Sequence, residues 1–186
     1  MSAVRNIIQS TLISADGVTN EPGGWALPYF DEEFHEEAAE LMHRCDAMLM
    51  GRGIYENLSG VWPGRTGDFA DAINGMRKYV FSSKLEAAEW NNSVVVRGDV
   101  VDEVTELKGE GGKDLVLFGH GRLGNTLLEH GLLDELRLSV HPVIAGGAHG
   151  EFRQNPKTPL TLIGSHVRKS GVVVLNYSTA PGEGRS

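Results

Sequence analysis

The residues best suited to chemistry in this chain sit among glycines. Gly119, Gly121 and Gly124 form the string GHGRLG, ahead of a helical pattern in which Leu123, Leu127 and Leu128 recur at spacings of four and one. Glycines at such a point let the backbone turn sharply and approach a ligand closely. The N–H groups and positive dipole end of the helix that follows favour phosphate. The spacing matches the dinucleotide fingerprint GxGxxG, which in a Rossmann unit needs an acid about 20 residues on, at the end of the next strand, to hold a ribose. Here that strand ends Ser139, Val140, His141, Pro142 and offers no acid. Two readings stay open: a phosphate turn, or glycines that serve only tight packing of helix on strand.

A second anion site is expected where the apolar run Asp46 to Met50 leads into Gly51 and Arg52. The planar fork of Arg52 can hold a phosphate bidentately, as a nucleotide 2′-phosphate requires, or it is an exposed arginine at a strand end. Ser82 and Ser83 terminate the run Lys78 to Phe81, and their hydroxyls either bond a phosphate or cap the next turn. The string HEEAAELMH invites a metal reading, but HExxH needs a second histidine where Ala39 stands, and His35 and His43 have no third ligand in view. No metal is expected. His120, His130, His141, His149 and His166 are expected in surface or packing roles.

The elements that position these residues follow from periodicity. Val4 to Ile13 predicts a strand that ends in the turn Ser14-Ala15-Asp16-Gly17. Asn20 to Tyr29 is a loop around Trp25. Asp31 is the expected N-cap of a helix with Phe34, Ala38, Leu41 and Met42 inward and Glu33, Glu36, Glu37 and Glu40 on a solvated outer face. After the second strand comes a helical turn, then a loop through Trp62, Pro63, Gly64 and Arg65. Strands follow at Lys78 to Phe81 and Val94 to Val96, a short helix at Val100 to Lys108, and a strand at Leu115 to Phe118 whose continuous apolar run suits burial on both faces. Leu136, Leu138 and Val140 alternate with Arg137, Ser139 and His141, which predicts a half-exposed or interface strand. Thr158 to Val167 and Val172 to Tyr177 read as a closing hairpin. The expected fold is α/β, with a mixed sheet parallel in the middle and antiparallel at its C-terminal edge.

Composition narrows the function classes. At 186 residues, 40% hydrophobic and 23% charged, the chain describes one well-buried domain, expected over 1–179 with a disordered tail over 180–186. Seventeen Lys plus Arg against 25 Asp plus Glu leave a net charge of −8, which disfavours nucleic acid and anionic membranes as partners, so any anion site is local. No signal peptide or membrane span is expected. The single Cys45 cannot form an internal disulfide, and a reducing cytoplasm is the expected compartment.

Taken together, these strings resemble the dihydrofolate-reductase-like family, and within it the single-domain relatives of the reductase half of the bifunctional riboflavin-biosynthesis enzyme. DAMLMGRGIYE resembles the second-strand signature, KYVFSSKL the third strand and serine turn, and LVLFGHGRLGNTLLEHGLLDELRLSVHPVIAGG the glycine turn, helix, strand and Pro-to-Gly-Gly loop. The resemblance implies a three-layer fold with helices on both faces of the sheet and an NADPH-dependent reductase of a small heterocycle, carbonyl or imine. By position, it implies Gly51, Arg52 and Ile54 at the adenosine phosphates, Ser82 and Ser83 at the 2′-phosphate, and Phe118, Gly119, Gly121, Arg122 and Leu123 at the pyrophosphate.

The family's threonine is replaced here by Ile54, and no acid aligns with the helix carboxylate of true dihydrofolate reductases; Asp31 is the nearest. Asp16, at the nicotinamide end, is the expected orienting or proton-handling group, or a plain turn residue. Trp25, Phe30 and Tyr55 are the expected substrate walls, or plain core aromatics. A homodimer through the late sheet is also implied. The rival readings are a nucleotide-binding module without catalysis and a flavin-type cofactor in place of NADPH.

Overall fold

The structure is a computed structural model that describes residues 4–147, 152 and 155–180. In chain order the elements are β1 (Ile7–Ser14), α1 (Glu32–Arg44), β2 (Cys45–Gly51), α2 (Arg52–Ser59), α3 (Asp68–Gly75), β3 (Arg77–Phe81), β4 (Ser93–Val96), α4 (Val100–Gly109), β5 (Asp114–Phe118), α5 (Gly121–Glu129), β6 (Glu135–His141), β7 (Thr161–Val167) and β8 (Val173–Ser178). Two short 3-10 turns, Pro22–Gly24 and Leu27–Tyr29, lie between β1 and α1.

One eight-stranded sheet runs in the order β4-β3-β2-β5-β1-β6-β8-β7. The pairs from β4 to β6 are parallel, and β8 joins β6 and β7 antiparallel. The expected mixed sheet is thus present. Alternation of side chains across it builds two cores. On one face Ile8, Met48, Met50, Val80 and Val116 meet Leu41 and Met42 of α1, Tyr55 of α2 and Ile73 of α3. On the other, Ile7, Leu49, Leu115 and Leu117 meet Val104 and Leu107 of α4 and Leu123 and Leu127 of α5. The run Leu115 to Leu117 is buried on both faces because helices cover both.

α3 occupies a stretch left unassigned by periodicity: Phe69, Ala70 and Ile73 share its inward face, but eight residues are too few to display a repeat. β6 is half-exposed, as the alternation predicts: Leu136, Ser139 and His141 are buried and the rest partly so. β6 is flanked by β1 and β8, and Arg137 and His141 are polar because they meet groups on α1 and on the loop before it. The 181–186 part of the tail lies outside the described residues, as does His149.

One buried charge braces the β3 side. Lys78 is fully buried, and its Nζ donates to the carbonyls of Asn74, Met76 and Asn91 at 3.1, 2.8 and 2.9 Å. It lies 4.4 Å from the Trp90 ring centre, and burial lowers its pKa to about 8.

Candidate active site

Since β1 to β6 all run the same way, their C-terminal ends share one edge. β1 and β5 are neighbours, yet the chain leaves β1 through α1 on one face and leaves β5 through α5 on the other. A crevice opens where connections diverge in this way, and ligands of open α/β sheets bind there.

The helices that begin along this edge are finished in two ways. α1 is capped by Asp31, whose carboxylate accepts from Phe34 N at 2.9 Å, and α4 by Asp99, which accepts from Val101 N at 2.9 Å and Asp102 N at 3.2 Å. Both also carry acids in the first turn. α2 and α5 have no side-chain cap and no acid in the first turn. They follow β2 and β5, which are adjacent in the sheet. Two helix ends with neither an N-cap side chain nor a first-turn acid therefore lie side by side, an arrangement that favours a diphosphate. The turn before α5 needs its glycines: Gly119 has φ 70° and Gly121 φ 55°, left-handed values that disfavour a side chain.

Gly124 serves the packing role that was the alternative reading. A Cβ there would lie 2.5 Å from His120 Nδ1 and 2.9 Å from Gln9 Oε1. His120 is buried beneath the turn, bonded to Gln9 at 3.0 Å and Asn125 at 2.7 Å, so a packing role for this histidine is what the structure shows.

Around the two helix ends, Gly51 and Gly53 have open space where a side chain would stand. Arg52 is half exposed, with its Nε 3.5 Å from Glu56 Oε1. An exposed pair of this spacing contributes only about 0.3–0.5 kcal/mol, so the guanidinium is easily redirected. Arg122 is exposed in the first turn of α5, and Leu123 behind it is core. Ile54 turns inward: its Cδ1 would stand 3.3 Å from a Cβ on Gly119, and it packs with Phe118 on the α1 face. Ser82 Oγ accepts from Lys84 N and Leu85 N at 3.2 and 3.0 Å, which is the turn-capping role. Ser83 is exposed beside it. Arg97, at the end of β4, ties this turn down through the carbonyl of Leu85 at 2.7 Å, a contact that sequence reasoning missed.

At the β1 end, the Asp16 carboxylate accepts from Ser14 Oγ at 2.6 Å, Ala145 N at 3.0 Å and Gly146 N at 2.9 Å. These bonds, that from Ser14 foremost, hold its pKa down to about 2. It orients the loop after β6 and has little affinity for a proton. Asp31 is likewise lowered, first by the Phe34 amide it caps. Trp25 packs edge-on against His141, and Phe30 stacks on Phe34 at 3.9 Å. Tyr55 points the other way, into the core, where its hydroxyl accepts from Trp90 N at 3.0 Å. The edge thus gathers the predicted glycines, Arg52, Ile54, Ser82, Ser83 and Asp16, while Tyr55 lies off it. Beside Ile54 and Phe118 the structure adds partly buried Leu58, Trp62 and Phe69, which the sequence left in a loop or unassigned.

The expected solvated face of α1 is also corrected at Glu37. Its carboxylate bonds Arg137 of β6, Arg168 at 2.7 Å and His166 at 2.7 Å. Burial pushes its pKa up, but the hydrogen bonds from Arg168 and His166 and the charges of Arg168 and Arg137 outweigh that and bring it to about 2. Among the described residues no three His, Cys, Asp or Glu are placed to hold a metal ion, and no helix is long and apolar enough to cross a membrane.

The strand order and the paired helix ends define a dihydrofolate-reductase-like fold. Dihydrofolate reductase from Enterococcus faecalis, solved with NADP(H), matches it with a TM-score of 0.62 at 15% identity, over 96% of each chain. A pyrimidine reductase-like protein from Corynebacterium diphtheriae matches with a TM-score of 0.68 at 13% identity, over 94% of this chain and 91% of that one. Within that fold the chain belongs to the RibD C-terminal domain family, which matches residues 5–174. It is 28% identical over 183 residues to the Bacillus subtilis protein YyaP, covering 93% of this chain and 94% of that one.

Proposed function

We propose that the protein is an NADPH-dependent reductase that transfers hydride to a small heterocyclic, carbonyl or imine substrate, in the manner expected of a riboflavin-biosynthesis reductase relative. The observation that carries this reading is the pair of uncapped, acid-free helix ends of α2 and α5 on adjacent strands. These residues fit a dinucleotide: the turn at Gly119 to Gly121 and the start of α2 would hold the pyrophosphate, and Arg52 with Ser82 and Ser83 the 2′-phosphate. The nicotinamide supplies the hydride. The chain's own part is to orient and to exclude water. Asp16 holds the loop at residues 145–146 rigid against β1, and Trp25 and Phe30 stand on the side where the substrate would lie. The cytoplasm is the proposed compartment, in keeping with the unpaired Cys45 thiol, whose pKa burial raises to about 12.

Titration with NADPH and with NADH, followed by nicotinamide fluorescence, tests the reading. Arg52→Ala weakens NADPH by about tenfold or more and leaves NADH unchanged, the loss expected for one charge-assisted phosphate contact. Absence of binding by either nucleotide overturns it. A second reading, a nucleotide-binding module without turnover, is favoured by Ile54, whose methyl group lies against the phosphate turn where the family carries a hydroxyl. NADPH affinity without substrate-dependent oxidation would select it.

We also propose a homodimer through the outer edge of the sheet. Among the described residues β7 pairs on one side only, and it leaves Leu162, Ile163 and Val167 more than half exposed. A monomer by light scattering at micromolar concentration overturns this.

A further inference from the structure

His141 closes β6 at the opposite side of the crevice from the phosphate turn, in register with Ser14 of β1. Its side chain is fully buried. Nδ1 lies 2.8 Å from the carbonyl oxygen of Ser139, so that nitrogen carries the proton and donates it. Nε2 is then a lone pair, buried with no hydrogen-bond partner among the described residues. A buried polar atom left so calls for a reason. Two aromatic rings stand against the imidazole, Trp25 at 5.3 Å and Tyr29 at 5.5 Å between centres, both at 79°. That is the favourable edge-to-face arrangement.

Both rings belong to the segment of 3-10 turns between β1 and α1. Neither turn has a side-chain cap or a buried residue, and Glu21 before the first has φ 48°, a left-handed value for a residue with a side chain. The segment has few holds on the sheet. Ala26 is buried, the Tyr29 hydroxyl donates to the Pro142 carbonyl at 3.3 Å, and the Trp25 indole bonds only locally, to the Asn20 carbonyl at 3.1 Å. The seat itself is rigid: Ala15 N donates to the Val143 carbonyl at 2.9 Å, and Asp16 holds the amides of Ala145 and Gly146.

We propose that His141 is a positioning residue whose uncharged imidazole seats Trp25 and Tyr29, holding segment 20–30 against the end of β6, and that protonation of Nε2 unseats the segment. This goes beyond the reductase reading and does not depend on it. An imidazolium here would lose its solvation with no anion to replace it. The titratable and charged groups around it are the Tyr29 phenol on the segment, Arg168 at the β7–β8 turn, Glu37 on α1 and Asp16 beyond β1. Arg168 is a like charge, Glu37 is engaged with Arg137 and Arg168, and Asp16 is engaged with backbone amides. Burial, aided by the Arg168 charge, outweighs the backbone at Ser139 and Ile13, which favours the charged ring, and pulls the imidazole pKa below its ordinary 6.5. The sign follows: the seated state binds the proton less well than the released one, so seating is complete above about 6.5 and weakens as the pH falls.

The test is intrinsic tryptophan fluorescence and hydrogen exchange of residues 20–30, from pH 8 to pH 5, with no nucleotide or substrate present. Wild type is expected to show a reversible fluorescence change with its midpoint below 6.5, as the Trp25 indole leaves its seat against His141 for solvent. Exchange in 20–30, corrected for intrinsic rates, is expected to rise at least about fivefold at pH 5, while amides of β1 and β5 stay protected. His141→Phe, an uncharged ring of similar shape, flattens both responses, and His141→Gln serves if the phenylalanine variant does not fold. Trp25→Phe abolishes the fluorescence change and leaves the exchange change. A pH-independent wild type, or a transition that survives in both His141 variants, overturns the proposal. Asp16 and Glu37, both held to about 2, do not titrate in this range.

Discussion

The ends of β2 and β5 and the ends of β1 and β6 lie on the same edge of one sheet and are completed by opposite means. At β2 and β5 the protein withholds its own counter-groups: glycines at the turns, no caps, no first-turn acids, and an arginine engaged only by an exposed glutamate. At β1 and β6 it supplies them, with Asp16 on backbone amides, Glu37 between two arginines and His141 between two rings. Helix ends without a cap or a first-turn acid favour an anionic ligand, and side chains engaged with one another mainly hold shape. One half of the edge therefore reads as the place that receives charge, and the other as the frame that keeps the crevice in register.

The comparison can be broken at either half. The largest effect is expected at the frame: Glu37→Gln leaves Arg168 and Arg137 without their carboxylate, with side chains only 3% and 18% exposed. Removing one partner of such a buried pair costs about 3 kcal/mol or more, measured by urea denaturation. Gly124→Ala comes next, since its Cβ would press on His120 and Gln9 beneath the turn. Overpacking of this kind costs about 2 kcal/mol, and a neutral result would show that His120 can move aside.

The sharpest test of the receiving half is Gly51→Asp. Gly51 is extended at the N-cap of α2 with open space around it, so an aspartate would cap α2 as Asp31 caps α1. Thermal stability should rise by a few tenths of a kcal/mol, while NADPH binding weakens about tenfold because the carboxylate now competes for the helix end. A stable variant with unchanged affinity would remove the anion site from α2.

Asp16→Asn is expected to have the smallest effect. The folded-state pKa of Asp16 is depressed from 3.8 to about 2, so its contribution to stability is present above 3.8 and lost as pH falls through 2. The variant should melt below wild type at pH 7 and with it at pH 2.

Much of this edge was legible from sequence because its chemistry is local. GHGRLG, the Gly51-Arg52 pair and the Asp31 cap each state their geometry within a few residues, since φ at glycine and capping by aspartate are properties of one turn. Tyr55 stayed undecided between substrate wall and core because helical phase within eight residues does not say which way α2 leans on the sheet. Glu37 was read as solvated because its partners, Arg137 and Arg168, lie 100 and 131 residues away. Arg97 was passed over at a strand end because its bonds go to carbonyls of the turn after β3, which only the pairing of β3 with β4 brings beside it.

By itself, then, the sequence determined the glycine turns, the parallel buried run at Leu115 to Leu117 and the closing hairpin, because backbone sterics and side-chain periodicity act over one turn or one strand. Only the tertiary structure decided that β2 and β5 are neighbours, so that the ends of α2 and α5 lie side by side. It alone also decided that His141 lies beneath Trp25 and Tyr29 and that α1 meets β6 through a buried carboxylate. Those outcomes depend on strand order and on charges brought together across the chain, and no local preference encodes either.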